Sequence, residues 1–189
     1  NEGNAVALAI GHYLSSSNVP LVYLQNSGLG NTINPLLSLA DKAVYSVPMI
    51  LLIGWRGKPG IKDEPQHFTQ GLLTKKLLET INIPFLILNN KCSSKEVSEI
   101  VKRAHYESFK NKQPFAILVE KDTFDKYIPK QKEKKYGDLM SREEALEICV
   151  DNLKDNDIVV STTGMLSREL YEIRDKKKQG HSHDFLTVG

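Results

Sequence analysis

Glu2 stands in the first turn of an apolar helix, ahead of Gly3 and Asn4. A carboxylate there either complements the helix dipole or is a buried acid sharing a proton with a heterocyclic nitrogen, and spacing does not separate the two. A second group, NSGLGN at Asn26 to Asn31, places Ser27, Gly28, Gly30 and Asn31 where the β-prone run LVYLQ gives way to a helical segment. Backbone N–H groups in such a turn approach a ligand closely, and the following helix end favours negative charge. The segment has neither the full G-x-G-x-x-G spacing nor a Lys-Ser/Thr ending, so dinucleotide and P-loop motifs are both absent. A tight turn at the carboxyl end of a strand explains it equally, and open α/β sheets bind their ligands at that same end.

The stretch GWRGKPGIKDEPQHFTQG, from Gly54 to Gly71, gathers Trp55, Arg56, Asp63, Glu64, Gln66 and His67 and reads as one long loop. Long loops in compact domains serve as lids or binding loops, or are simply solvated. From its charge and position, Arg56 is a candidate clamp for an oxygen pair of a carboxylate or phosphonate. Ser161, Thr162, Thr163 and Gly164 fall between a strand and a helix. Hydroxyls and amides there either cradle a diphosphate or cap an ordinary βα turn. His181 and His183 resemble a metal pair, but no third ligand lies nearby and no metal is assigned to them.

The elements that must position these residues follow from periodicity. Val6, Ala9, Ile10 and Tyr13 give the helix from Glu2 one apolar stripe, and PMILLI at 48–53 is a continuous apolar run suited to a strand covered on both faces. Helical segments are expected at 35–40 and 72–81, with strands at 84–88 and 114–120. Ser93 with Glu96 forms a capping box ahead of Val97, Ile100, Val101 and Ala104. Strands alternating with helices imply an α/β fold, a mostly parallel doubly wound sheet. Residues 121–137, with Pro129 and Lys130, Lys132, Lys134 and Lys135, read as a linker between a domain at 1–120 and the beginning of another at 138–189. In the second part Ser141 and Glu144 repeat the capping box, DIVVST is a strand and Met165 to Arg174 a helix. That part is too short to bury a parallel-sheet core by itself, and a strand is expected ahead of Glu2, so both ends read as cut.

Composition narrows the class. Of 189 residues, 40% are hydrophobic and 25% charged, which excludes intrinsic disorder. The net charge of +2 gives no nucleic-acid footprint. No apolar run approaches the roughly 20 residues of a membrane helix. Cys92 and Cys149 form no CxxC pair, which argues against a disulfide framework or zinc ribbon and for a reducing, cytoplasmic setting.

Taken in order, NEGNAVALAIG, PLVYLQNSGLGN, PMILLIGWRG, KDEPQH, STTGMLSREL and HDFLTVG resemble the thiamine-diphosphate-dependent 2-oxo acid decarboxylases that act on phosphonopyruvate or sulfopyruvate. The resemblance covers essentially the whole chain. It implies a pyrimidine-binding domain followed by a diphosphate-binding domain, with active sites between subunits of an oligomer. It implies that Glu2 hydrogen-bonds the pyrimidine ring nitrogen, that Ser27, Gly28, Gly30 and Asn31 line the cofactor pocket, and that Gln66 and His67 lie on a loop near the reacting carbon. Thr162, Thr163 and Gly164 correspond to part of the diphosphate cradle. The substrate would be a small 2-oxo acid, phosphonopyruvate first and sulfopyruvate as the rival, and the cofactors thiamine diphosphate and Mg²⁺. The family's Gly-Asp-Gly motif with its downstream Asn, which holds Mg²⁺, does not occur in this sequence, so no metal ligand is assigned within it. A non-catalytic α/β binding or regulatory domain is the alternative of another class, and retention of Glu2 argues against it.

Overall fold

The computed structural model describes residues 1–127, 139–162 and 164–188, which fall into two compact units, Asn1–Tyr127 and Ile128–Gly189. In the first unit four strands, β1 (Leu21–Gln25), β2 (Met49–Gly54), β3 (Phe85–Leu88) and β4 (Pro114–Val119), form an entirely parallel sheet in the order β1-β2-β4-β3. Parallel neighbours need crossover connections, supplied here by the short helical segments of residues 26–40 between β1 and β2, by α3 (Pro65–Thr80) between β2 and β3, and by α4 (Ser94–Asn111) between β3 and β4, while α1 (Glu2–Ser16) precedes β1.

The central strands are apolar on both faces because both are covered. Met49, Leu51 and Ile53 of β2 pack with Ala116 and Leu118 of β4 against α1 and α3, through Val6, Ile10 and Leu78. Ile50, Phe115, Ile117 and Val119 turn the other way and meet Ala104 of α4. The period-two alternation of two apolar sets produces the doubly wound arrangement read from the sequence. The α4 capping box forms as its sequence requires: Ser93 N donates to Glu96 Oε2 at 2.7 Å, and Glu96 N donates to Ser93 Oγ at 3.3 Å. After β1 the chain runs through a 3-10 segment (Asn26–Thr32), a short α2 (Ile33–Pro35) and a π turn (Leu36–Ala40).

One sequence expectation is corrected. The stretch after β2 is not loop as far as Gly71, because α3 already begins at Pro65. Proline at the first helical position supplies a φ suited to the helix and lacks an N–H that would be unpaired there anyway. Gly71, which reads as a breaker, instead lets the loop touch the helix: a Cβ at Gly71 would overlap the Gly57 carbonyl, and one at Gly57 would overlap that of His67. Gly57 also has φ +66°. Trp55, buried, donates Nε1–H to the Gly71 carbonyl at 3.0 Å and completes the seal.

The second unit pairs β5 (Val159–Thr162) with β6 (Asp184–Val188) in parallel, with α5 (Arg142–Asp151) and α6 (Met165–Lys176) packed through Val150, Leu170 and Ile173. Arg142 grips Glu169 across the helices at 2.5 and 2.7 Å. Of the expected linker, residues 128–137 lie outside the described residues, as does residue 138. No helix among the described residues is long and apolar enough to cross a membrane.

Two glycines in helices give opposite expectations. Gly71→Ala in the full-length protein should cost about 1–3 kcal/mol in urea denaturation, because the loop backbone has to move. Gly11→Ala, with nothing within 4 Å of the added Cβ, should stabilise by roughly 0.5–1 kcal/mol.

Candidate functional site

Glu2 is placed by the start of α1. Asn1 caps that helix by accepting from Asn4 N at 3.1 Å, which sets Glu2 in the first turn, half-buried, where free helix N–H groups favour an anion. The 3-10 segment lies directly against it. Asn31 Nδ2 donates to Glu2 Oε2 at 3.1 Å, and a Cβ on buried Gly28 would overlap the Glu2 side chain. A Cβ on Gly3 would come 2.8 Å from the Asn31 carbonyl oxygen. Two glycines, one on each side, therefore let helix and turn interlock around one carboxylate. The Asn31 bond, joined by the backbone N–H of Glu2 itself, holds its pKa below the ordinary glutamate value.

The other turn residues differ in role. Ser27, exposed, donates to Gln25 Oε1 at 2.7 Å, and Gly30 is exposed with nothing within 4 Å of where a Cβ would sit. Gly30 needs glycine neither for φ nor for packing inside this chain. An open backbone surface beside a half-buried carboxylate leaves room for a planar group and a polar partner for it.

Arg56 is already engaged. Its Nε donates to Asp63 Oδ2 at 2.8 Å and its Nη2 to Asp63 Oδ1 at 2.5 Å, a forked pair that leaves Nη1 for any ligand. Asp63 further accepts from Gly57 N and Glu64 N, each at 2.8 Å, so one carboxylate folds the β2–α3 loop and closes the head of α3. These bonds, the one to Arg56 foremost, hold the Asp63 pKa far below the usual carboxylate range. Gln66 and His67 lie in the first turn of α3 rather than on a loop, Gln66 exposed and His67 half-buried, and neither makes a hydrogen bond to Glu2, Gly28 or Asn31. Sequence reasoning gave no role to Asn26 or Thr74, and it named Asp63 only as one of the polar residues of the loop. Asn26 is legible in retrospect only as a polar residue that continues the buried side of β1, after Val22 and Leu24.

In the second unit Gly164 has φ +125° and ψ −144°, a conformation reserved for glycine, immediately before α6. Thr162, two residues before it, is exposed, while Ser161 and Ser167 are buried and share a bond of 2.8 Å. Ser167 Oγ also donates to the Thr162 carbonyl at 2.6 Å, pinning the turn that leads to the helix end. Helix N–H groups next to a bare glycine suit a phosphate oxygen. Thr163 lies outside the described residues. His181 stacks on Tyr171 and contacts Asp175 and Asp184. Among the described residues no group of three or more His, Cys, Asp or Glu side chains is placed to hold a metal.

An acid and a glycine turn meet at the carboxyl end of β1 in a parallel sheet, and residues 1–78 match the family described as thiamine pyrophosphate enzyme, N-terminal TPP binding domain. Within that family, the chain is 31% identical over 93% of its length to the phosphonopyruvate decarboxylase of Streptomyces viridochromogenes, of which it covers 46%. It is 35% identical over 63% of its length to the sulfopyruvate decarboxylase subunit alpha of Methanococcus maripaludis, of which it covers 67%. It is 26% identical over 93% of its length to the sulfopyruvate decarboxylase of Methanosarcina acetivorans, of which it covers 49%. The chain belongs to this family of thiamine-diphosphate-dependent phosphonopyruvate and sulfopyruvate decarboxylases. It spans about half the length of the full-length phosphonopyruvate decarboxylases that it matches.

Two measurements follow. Gly30→Ala in the full-length protein should leave the melting temperature unchanged and weaken thiamine diphosphate binding in a calorimetric titration, whereas Gly28→Ala should lower both, because its methyl displaces Glu2. Asp63 has a depressed folded-state pKa, so its contribution is present above the unfolded value near ~3.9 and fades as pH falls through the folded one. Asp63→Asn should cost about 1–3 kcal/mol at pH 7, reduced by the partial exposure of Arg56, and the gap to the parent should narrow below pH ~4 in urea titrations.

Proposed function

We propose that the protein to which this chain belongs decarboxylates phosphonopyruvate to phosphonoacetaldehyde and CO₂, with Glu2 as its catalytic acid. The single observation that carries this reading is the half-buried Glu2 carboxylate held by Asn31 over a glycine turn. When bound, thiamine diphosphate supplies a carbon nucleophile and an acceptor for the electron pair released as CO₂ leaves. Glu2 would bond the pyrimidine ring nitrogen and hold or return its proton. Glu2, if covered by the ring, would lose water and have its pKa pushed upward, against the pull of Asn31, which suits an acid that shares its proton. Gly30 would give the ring room at the backbone, Gly28 would line the pocket by making room for Glu2, and Ser27 and Asn31 would offer polar edges. Thr162, Thr163 and Gly164 would receive diphosphate oxygens, and Mg²⁺ would be held by oxygen ligands outside this chain.

On this reading residues 1–120 are the pyrimidine-binding domain, 121–137 a linker and 138–189 the beginning of the diphosphate-binding domain. The active site would be shared between subunits of an oligomer. A cytoplasmic setting accords with the two unpaired cysteines. Arg56 is the least supported assignment, since Asp63 occupies its fork; Gln66 and His67 stay as substrate-side candidates.

Sulfopyruvate is the second reading, favoured by the 35% identity to a sulfopyruvate decarboxylase subunit alpha. The match to phosphonopyruvate decarboxylases extends over 93% of the chain at 31–32% identity and supports the first. Assayed on both acids with thiamine diphosphate and Mg²⁺, the full-length enzyme should show at least roughly tenfold higher kcat/KM for phosphonopyruvate, and the reverse order would establish the second reading. Glu2→Gln should lower decarboxylation by about 10²–10⁴-fold with an unchanged melting temperature, and undiminished turnover would refute the assigned role.

A further inference from the structure

A seven-residue 3-10 segment needs outside support, because runs beyond three or four residues are uncommon and Gln25, which precedes it, makes no side-chain cap. The support sits at its first residue. Asn26, 4% exposed, donates from Nδ2 to the Arg56 carbonyl at 2.8 Å and to Thr74 Oγ1 at 2.9 Å, and its Oδ1 accepts from Arg56 N at 3.0 Å. The pairing with both backbone groups of Arg56 is what an adjacent strand would make. It carries the contact between β1 and the chain after β2 past the last paired residues, Gln25 and Gly54. The third bond ties the same amide to α3. Inside the segment, Thr32 Oγ1 donates to the Leu29 carbonyl at 2.7 Å, and Leu29 and Thr32 are both buried. The far end carries Asn31, whose amide holds Glu2, and Gly28 lies under that carboxylate between the two ends.

We propose that Asn26 is a positioning residue for Glu2, fixing the phase of the 3-10 segment so that Asn31 reaches the carboxylate and Gly28 passes beneath it. Asn26 has no bond to Glu2, so its effect runs through the segment. A truncated side chain frees Arg56 N, its carbonyl and Thr74 from their shared partner and lets the segment rotate about its open end. The inference rests on the reading of Glu2 as the acid at the cofactor, but its test does not need activity.

The measurement is the ¹³C NMR titration of the Glu2 carboxyl in the full-length protein without cofactor, its resonance assigned by its loss in Glu2→Gln. Asn31→Ala should move the Glu2 midpoint up toward the ordinary glutamate value. Asn26→Ala should move it in the same direction, and in the Asn31→Ala background it should add nothing further. In active enzyme Asn26→Ala should lower kcat by roughly 10–100-fold and leave KM for the 2-oxo acid within about threefold. A folded Asn26→Ala protein with an unshifted Glu2 titration, or additive effects in the double variant, overturns the proposal. Should Asn26→Ala not fold, Asn26→Ser, too short to span both Arg56 groups, gives the same reading; if neither variant folds, Asn26 is a structural residue and the proposal falls. A parent enzyme inactive on both acids would sink the functional reading while the titrations still decide the role of Asn26.

Discussion

Everything at the carboxyl end of β1 turns on how closely a helix and a glycine turn approach around one carboxylate. Glu2 accepts from Asn31 while resting on Gly28, and Gly3 rests on the Asn31 backbone. No side chain larger than hydrogen fits at either contact without displacing the acid or the turn. The charge is therefore set by geometry, half-buried at a helix start where amide groups favour it, and still open to a ring that would desolvate it. On the proposed reading those are the properties the chemistry requires, an ionised acid when the site is open and a proton-sharing one when it is covered.

The sheet makes this geometry possible at a distance. The β2 strand, covered on both faces, holds β1 in register along one edge, and Asn26 and Asp63 then extend that order into the segments beyond the strand ends. Asn26 couples the turn to the β2–α3 loop and to α3, while Asp63 folds the loop onto itself and Trp55 seals it against Gly71. The second unit uses the same grammar on a smaller core, with a glycine-only conformation at Gly164 opening a helix end and paired serines beneath it.

Much of this was legible in the sequence. The parallel sheet follows from continuous apolar runs such as PMILLI, both capping boxes from their S-x-x-E spacing, and the glycine turn from its place after LVYLQ. Glu2 stood out as an acid in a first turn, though its partner in space, 29 residues away, leaves no mark on local spacing. The start of α3 was hidden because Gly71 and Pro65 both read as breakers, whereas one serves a close approach and the other a helix start. Arg56 looked free because its partner Asp63 is seven residues along a loop of unknown path. Asn26 was missed for the same reason: its worth depends on Arg56 and Thr74, 30 and 48 residues away.

The central claim is that Glu2 meets the pyrimidine ring of thiamine diphosphate. Exchange of the thiazolium C2 proton for deuterium, followed by NMR after acid quench in the full-length enzyme with thiamine diphosphate and Mg²⁺ bound, reads that meeting before any substrate enters. The account predicts rapid exchange in the parent and a slowing of at least ~10²-fold in a Glu2→Gln enzyme that still binds the cofactor. Equal exchange rates in the two proteins would contradict it.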